Sequence, residues 1–215
     1  LLVEIGWIDP KHEMKQGDST SIPILCMASG LGRIDIVTTL LDRGADINQA
    51  MNDGGTPLFA ASQEGHVEVV RILAERGADI NKAENNGLTP LYIASLEGHV
   101  EVVRILAEKG ADINKAKYNG ATPLYVASQY GHVEVVRILA ERGADINKAK
   151  DNGATPLFDA SLTDQVEVVR VLIEREADIN KAKNDGTTPL QIANHTEIIQ
   201  LLQLAAQKQP SARQI

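Results

Sequence analysis

The 215 residues are 43% hydrophobic and 23% charged, an ordinary soluble composition that excludes a disordered chain. Only 3% are aromatic, which excludes a single large core built around Phe, Trp and Tyr and leaves a thin aliphatic one. With 21 Lys and Arg against 29 Asp and Glu the formal charge is −8, and no basic stripe of the kind that binds nucleic acid is present.

No run of 18 apolar residues offers a membrane span, and the opening "LLVEIGWIDP" lacks the basic start and long apolar stretch of a signal peptide. Cys26 is the only cysteine, so no internal disulfide forms; an intracellular site follows, the cytoplasm first and the nucleus as an alternative.

From the N-terminus, "LLVEIGWID" resembles the tail of a helix and its exit, matching "ILAERGADI" further along. A period of 33 residues then governs the chain. "TPL" recurs at Thr56, Thr89, Thr122, Thr155 and Thr188, and "ADIN" at Ala45, Ala78, Ala111, Ala144 and Ala177. A fixed period of this size is the mark of a solenoid, in which each unit buries its apolar faces against its neighbours.

The unit from Glu84 to Ala116 shows the local logic. "ENNG" is turn chemistry, with Gly87 free to take a positive φ. Thr89 is placed to cap the next helix through its hydroxyl, and Pro90 suits the first helical position. "LYIASLE" is a short helix ended by Gly98, and "VEVVRILAEK" a second helix, apolar at Val100, Val103 and Leu106 and ended by Gly110. Glu101 and Arg104 form a weak solvated pair on its surface. "ADINKA" is predicted to run extended into the next turn.

These motifs resemble the ankyrin-repeat family, whose 33-residue unit is a turn and two antiparallel helices with a T-P-L-H-x-A signature. The resemblance covers about residues 18 to 205 and implies an all-α repeat solenoid with β-turn or hairpin tips. It divides the chain into a partial repeat and linker at 1–17, a degenerate repeat at 18–50, and repeats at 51–83, 84–116 and 117–149. A divergent repeat at 150–182, a shortened capping repeat at 183–207 and a tail at 208–215 follow. Gly6 to Gly44 is 38 residues, so the first link carries about five extra. A start part-way through a repeat, without an initiator Met, is what a fragment of a larger protein would show. "TPLQIANHTEIIQLLQLAAQKQ" lacks about three residues at the helix junction and turns polar, as a C-terminal cap requires.

No catalytic constellation emerges, and neither an enzyme nor a cofactor is expected. "GLGRID" places Asp35 where a dinucleotide fingerprint needs glycine, and "HEMKQ" from His12 places Gln16 where a zinc protease needs histidine. His66, His99 and His132 recur with the period, but helices stacked about 8–10 Å apart cannot bring them to one metal ion; a structural role at the helix junction is expected. Cys26 has no partner base. Asn194, His195 and Thr196 form a glycosylation sequon that an intracellular chain leaves unused.

Cys26, Phe59, Tyr92, Tyr125, Phe158 and Gln191 share the repeat position where the family usually has His. Packing at a helix seam is the main expectation for this column, and a row of stacking platforms the alternative.

The resemblance further implies that turn tips and inner helices form a concave surface for a protein partner. The repeats at 84–116 and 117–149 differ at seven positions, six of them in the turn or first helix: Glu84/Lys117, Asn85/Tyr118, Leu88/Ala121, Ile93/Val126, Leu96/Gln129 and Glu97/Tyr130. Variation on a constant scaffold is what a binding surface would show, and drift at unrestrained positions would show it too. Leu96, Tyr118 and Tyr130 are the expected anchors, with Asn52, Asp53, Asn86, Asn119, Asn152 and Leu162 completing the surface. In the divergent repeat Asp159 replaces Ile or Val, "DQ" at Asp164 replaces "GH", and Glu176 replaces a helix-ending glycine. With Asp151 these suggest a site for a basic partner segment, or a tolerated degenerate unit. The resemblance also makes Asn81, Asn114 and Asn147 candidates for hydroxylation. The expected function is a monomeric, non-enzymatic protein–protein interaction scaffold; the alternative is a targeting or regulatory array of a larger enzyme or channel.

Overall fold

The computed structural model describes residues 23–208, so the expected partial repeat at 1–17, the "HEMKQ" stretch and all but the first residue of the tail lie outside the described residues. The chain divides into two compact units, Leu1–Asp112 and Ile113–Ile215. Among the described residues there are twelve helices and no strand.

The first unit holds α1 (Ile24–Gly30), α2 (Ile34–Asp42), α3 (Pro57–Gln63), α4 (Val67–Glu75), α5 (Pro90–Glu97) and α6 (Val100–Glu108). Odd-numbered helices pack on one another in one row, even-numbered ones in a second, and each pair packs across the rows. In this unit the leucine of each "TPL" lies between the rows: Leu58 and Leu91 are at most 1% exposed, as are Leu40, Leu73 and Leu106 of the second helices. Each such leucine contributes about 1.5–3 kcal/mol on leaving water.

The second unit repeats the scheme with α7 (Pro123–Gln129), α8 (Val133–Glu141), α9 (Pro156–Leu162), α10 (Val166–Glu174), α11 (Pro189–Ile192) and α12 (Thr196–Lys208). Here α7, α9 and α11 form one row and α8, α10 and α12 the other. The missing residues at the last junction come out of α11, which is a single turn, while α12 runs one residue past the expected end of the cap at 207.

Local chemistry matches the reading of the unit. The Thr89 hydroxyl accepts a hydrogen bond from the Tyr92 N–H at 3.1 Å with Pro90 in the first turn, and Gly98 caps the helix at φ 76°. Thr56, Thr122, Thr155 and Thr188 cap their helices in the same way. The first described repeat departs from this, since Pro23 stands at the N-cap and supplies no side-chain cap.

Two details differ from expectation. The second helix buries Val102, Val103, Ile105 and Leu106 while Val100 is only half-buried, because a helix with neighbours on both sides and a first helix beneath buries more than one stripe. The "ADIN" run is broken by a turn at its Ile and Asn rather than fully extended. That turn lets the asparagine reach across to the next repeat: Asn48 Oδ1 accepts the Asp79 N–H at 2.8 Å, and Asn114 Oδ1 accepts the Asp145 N–H at 2.8 Å.

Candidate protein-binding surface

The tips between helix pairs are hydrogen-bonded turns. In the first unit the Met51 N–H donates to the Gly55 carbonyl at 2.8 Å and the Gly54 N–H to the Met51 carbonyl at 2.9 Å. Asp53, Asn119 and Asn152 use a side-chain oxygen to accept the N–H two residues on, at 2.9, 3.1 and 3.1 Å, which is an Asx turn. In the repeat at 84–116 this role passes to Glu84. Its buried carboxylate accepts the Asn86 and Leu88 N–H groups and the Asn86 side-chain amide, at 2.9, 3.1 and 3.0 Å.

Successive tips are tied together within each unit. The Asn85 N–H donates to the Asp53 carbonyl at 2.7 Å and its side-chain amide to the Asn52 carbonyl at 3.1 Å. In the second unit the Asp151 N–H donates to the Asn119 carbonyl at 3.0 Å, and Asn184 does the same to Asn152 and, through its side chain, to Asp151. Lys183, 2.8 Å from Asp185, and the Thr187 N–H hold the Asp185 carboxyl well below the usual carboxylate range.

The sequence-predicted anchors separate by exposure. Tyr118 is 77% exposed at its tip, Tyr130 57% exposed at the end of α7 and Leu162 45% exposed at the end of α9. Tyr130 is stacked on His132 with ring centroids 6.4 Å apart. Leu88, Leu96 and Gln129 are half-buried, and Asn52, Asp53, Asn85, Asn86, Glu97, Asn119, Asp151 and Asn152 are exposed. Of the six variable pairs, Asn85/Tyr118, Leu96/Gln129 and Glu97/Tyr130 reach solvent in both copies. Ile93 and Val126 are core residues, 7% and 4% exposed.

Asp159 is a correction to the expected acidic site. It is 4% exposed; the Tyr125 hydroxyl donates to its Oδ2, and Lys150 Nζ lies 3.8 Å from the same oxygen and 4.8 Å from the centre of the Tyr125 ring. Its carboxylate is held inside the second unit, so it is not displayed beside the exposed Asp151. Lys150 and Tyr125 were the partners sequence reasoning missed; a lysine at the tip and a tyrosine in the aromatic column each had an ordinary explanation.

The aromatic column is core: Cys26, Phe59, Tyr92, Tyr125 and Phe158 are all at most 7% exposed, which leaves no row of stacking platforms. Gln191 departs, lying exposed and closing a capping box with Thr188. Burial, together with the charge of Asp53, pushes the Cys26 thiol up to about 12 against an opposing backbone hydrogen bond at Met51, the reverse of what a nucleophile needs.

The recurring histidines serve the junction. His66 Nε2 donates to the Gly30 carbonyl at 3.0 Å and His99 Nε2 to the Gln63 carbonyl at 2.9 Å, each joining a second helix to the first helix of the preceding repeat. Where "DQ" removes this histidine, the Thr163 hydroxyl supplies the missing donor to the Gln129 carbonyl at 3.0 Å. Among the described residues no group of three His, Cys, Asp or Glu is placed to hold a metal ion. Nor, among them, is any helix long and apolar enough to cross a membrane.

Asn81 and Asn114, the modification candidates, are half-buried and doubly engaged. Each side-chain oxygen accepts the N–H of Asp112 or Asp145 at 2.8 Å, and each amide donates to the carbonyl of Gly110 or Gly143. Asn147 accepts the Asp178 N–H at 2.8 Å in the same manner.

Paired helices with Thr-Pro caps, tips bonded to tips and a 33-residue step define a helical repeat protein. The sequence matches the family model described as ankyrin repeats (three copies) over residues 5–84, 23–117, 81–150 and 143–212. The chain belongs to the ankyrin-repeat family, whose arrays in general mediate protein–protein interaction. A search of curated proteins finds no match.

Proposed function

We propose that this chain is a non-enzymatic interaction scaffold that binds a protein partner through its turn tips and the ends of its first helices. One observation carries the reading. Where two otherwise matching repeats differ, the residues that reach solvent are at the tip (Asn85/Tyr118) and the first-helix end (Leu96/Gln129, Glu97/Tyr130), while the second helices are identical and only the like-charged Lys109/Arg142 differ just past their ends. Exposed tyrosines supply large contact area at low entropic cost, and Tyr118 and Tyr130 have it to offer.

The test is comparative capture from lysate of the source cell. The baits are the natural chain, a variant with Leu96, Tyr118 and Tyr130 changed to Ala, and a variant with the exposed second-helix residue Glu134 changed to Lys. A protein held by the first and third and lost by the second supports the reading. Equal retention by all three moves the contact surface elsewhere.

A further inference from the structure

We propose that residues 150–208, the last two described repeats, open as one cooperative segment while α1 to α8 stay folded, with the seam between α7 and α9 as the breaking point. Three observations in the second unit point to it. The first is at the ends of α10. Asp164 and Glu176 are the only non-glycine residues with positive φ among those described, at 57° and 62°. The corresponding positions elsewhere are glycines such as Gly131 at 77° and Gly143 at 87°, which bear this conformation without a Cβ penalty. One repeat therefore holds its second helix between two strained junctions.

The second observation is at the seam itself. Position 159 corresponds to Ile93 and Val126, buried apolar residues, yet holds a buried aspartate. Burying that carboxylate beside the half-buried Lys150 carries a desolvation cost that offsets the pair's attraction, where an apolar side chain would contribute net stacking energy. The third observation lies beyond the divergent repeat. The next first helix, α11, is four residues long against seven for α9, and its Leu190 is 39% exposed where the equivalent Leu124 and Leu157 are at most 1% exposed, so the last repeat buries less of its own apolar surface. In an array where each repeat is stabilised chiefly by its nearest neighbours, a weak unit followed by a short one separates at the junction that precedes them.

Native-state hydrogen exchange on the full 215-residue chain, read by mass spectrometry, tests this. The expected result is that amides of α9 to α12 exchange at one common rate, faster than those of α3 to α8. The double variant Asp164→Gly, Glu176→Gly should slow exchange in α9 to α12 by about fivefold per substitution, on the order of 25-fold together, and leave α3 to α6 unchanged. Glu176→Ala, which removes the carboxylate but keeps a Cβ at the left-handed position, should leave the rate as it was. Uniform exchange along the natural chain, or a double variant that slows every helix equally, overturns the proposal.

Discussion

The phenolic hydroxyl of Tyr125 donates a hydrogen bond to Oδ2 of Asp159, one repeat further on, with both side chains buried. Every other described residue at position 159 of the repeat is apolar: Met27, Ala60, Ile93, Val126 and Ile192. The aspartate is tolerated because a hydroxyl and the Lys150 ammonium meet it. Removing the hydroxyl alone then leaves a buried carboxylate short of a donor, and removing the carboxylate alone takes the acceptor from a buried hydroxyl, whereas removing both leaves only Lys150, which is free to turn toward water.

Tyr125→Phe is therefore expected to lower the unfolding free energy by about 1–2 kcal/mol, and the double variant Tyr125→Phe, Asp159→Val, which removes the hydroxyl and the carboxylate together, to be neutral or stabilising by about 1 kcal/mol. Urea unfolding of the two variants beside the natural chain measures both. A neutral Tyr125→Phe would mean that the hydroxyl gives the carboxylate no support.

Asp159 also shows where a sequence stops being legible. The repeats, the Thr-Pro caps and both helix ends that Asp164 and Glu176 strain could be read from residue spacing, because each depends on local backbone chemistry. An aspartate in place of Val reads as an exposed acid, since nothing in the spacing says that a tyrosine 34 residues earlier reaches it. The bonds of the "ADIN" asparagines are hidden for the same reason: their partners lie 29 and 31 residues on, across a repeat boundary. Tyr118 and Tyr130 were legible as exposed because they replace polar residues, Asn85 and Glu97, at positions that no core contact restrains.

The asparagine ties make a second expectation. Asn114 accepts the Asp145 N–H at 2.8 Å and donates to the Gly143 carbonyl at 3.2 Å, so Asn114→Ala deletes two bonds between neighbouring repeats at once. The side chain is half-buried and water can replace part of what is lost, so the cost should be about 1–2 kcal/mol. Thermal unfolding provides the measurement. Asn114→Asp should recover part of the loss, because a carboxylate still accepts from the Asp145 N–H but cannot donate to Gly143.

The raised pKa of Cys26 gives stability a pH dependence of known sign. In the unfolded chain the thiol ionises near its ordinary value of about 8.5. In the folded protein burial first, and then the charge of Asp53, keeps it protonated up to about 12. The contribution is complete below the unfolded value and is lost as pH rises toward the folded one. Between pH 8 and pH 10 the natural chain should lose up to about 2 kcal/mol more than Cys26→Ala does. Urea midpoints at the two pH values measure the difference, and parallel behaviour of the two proteins would remove the thiol as its source.

Two glycines with the same backbone region separate conformational strain from crowding. Gly77 has φ 90° and open space where a Cβ would point, so Gly77→Ala bears only the left-handed penalty, about 1 kcal/mol. Gly65 has φ 73°, and a Cβ there would sit 2.6 Å from Nδ1 of His99, whose ring is anchored at its other nitrogen to the Gln63 carbonyl. The ring cannot retreat without giving up that bond, so Gly65→Ala should cost roughly 3 kcal/mol, strain and overpacking combined. His99→Ala removes both the clash and the bond. The double variant Gly65→Ala, His99→Ala should therefore be less destabilised than the sum of the single ones by about 1–2 kcal/mol, a coupling that a double-mutant cycle in urea reads directly. Strict additivity would show that the histidine yields to the new methyl group without loss, and that glycine is required at this junction for its backbone alone.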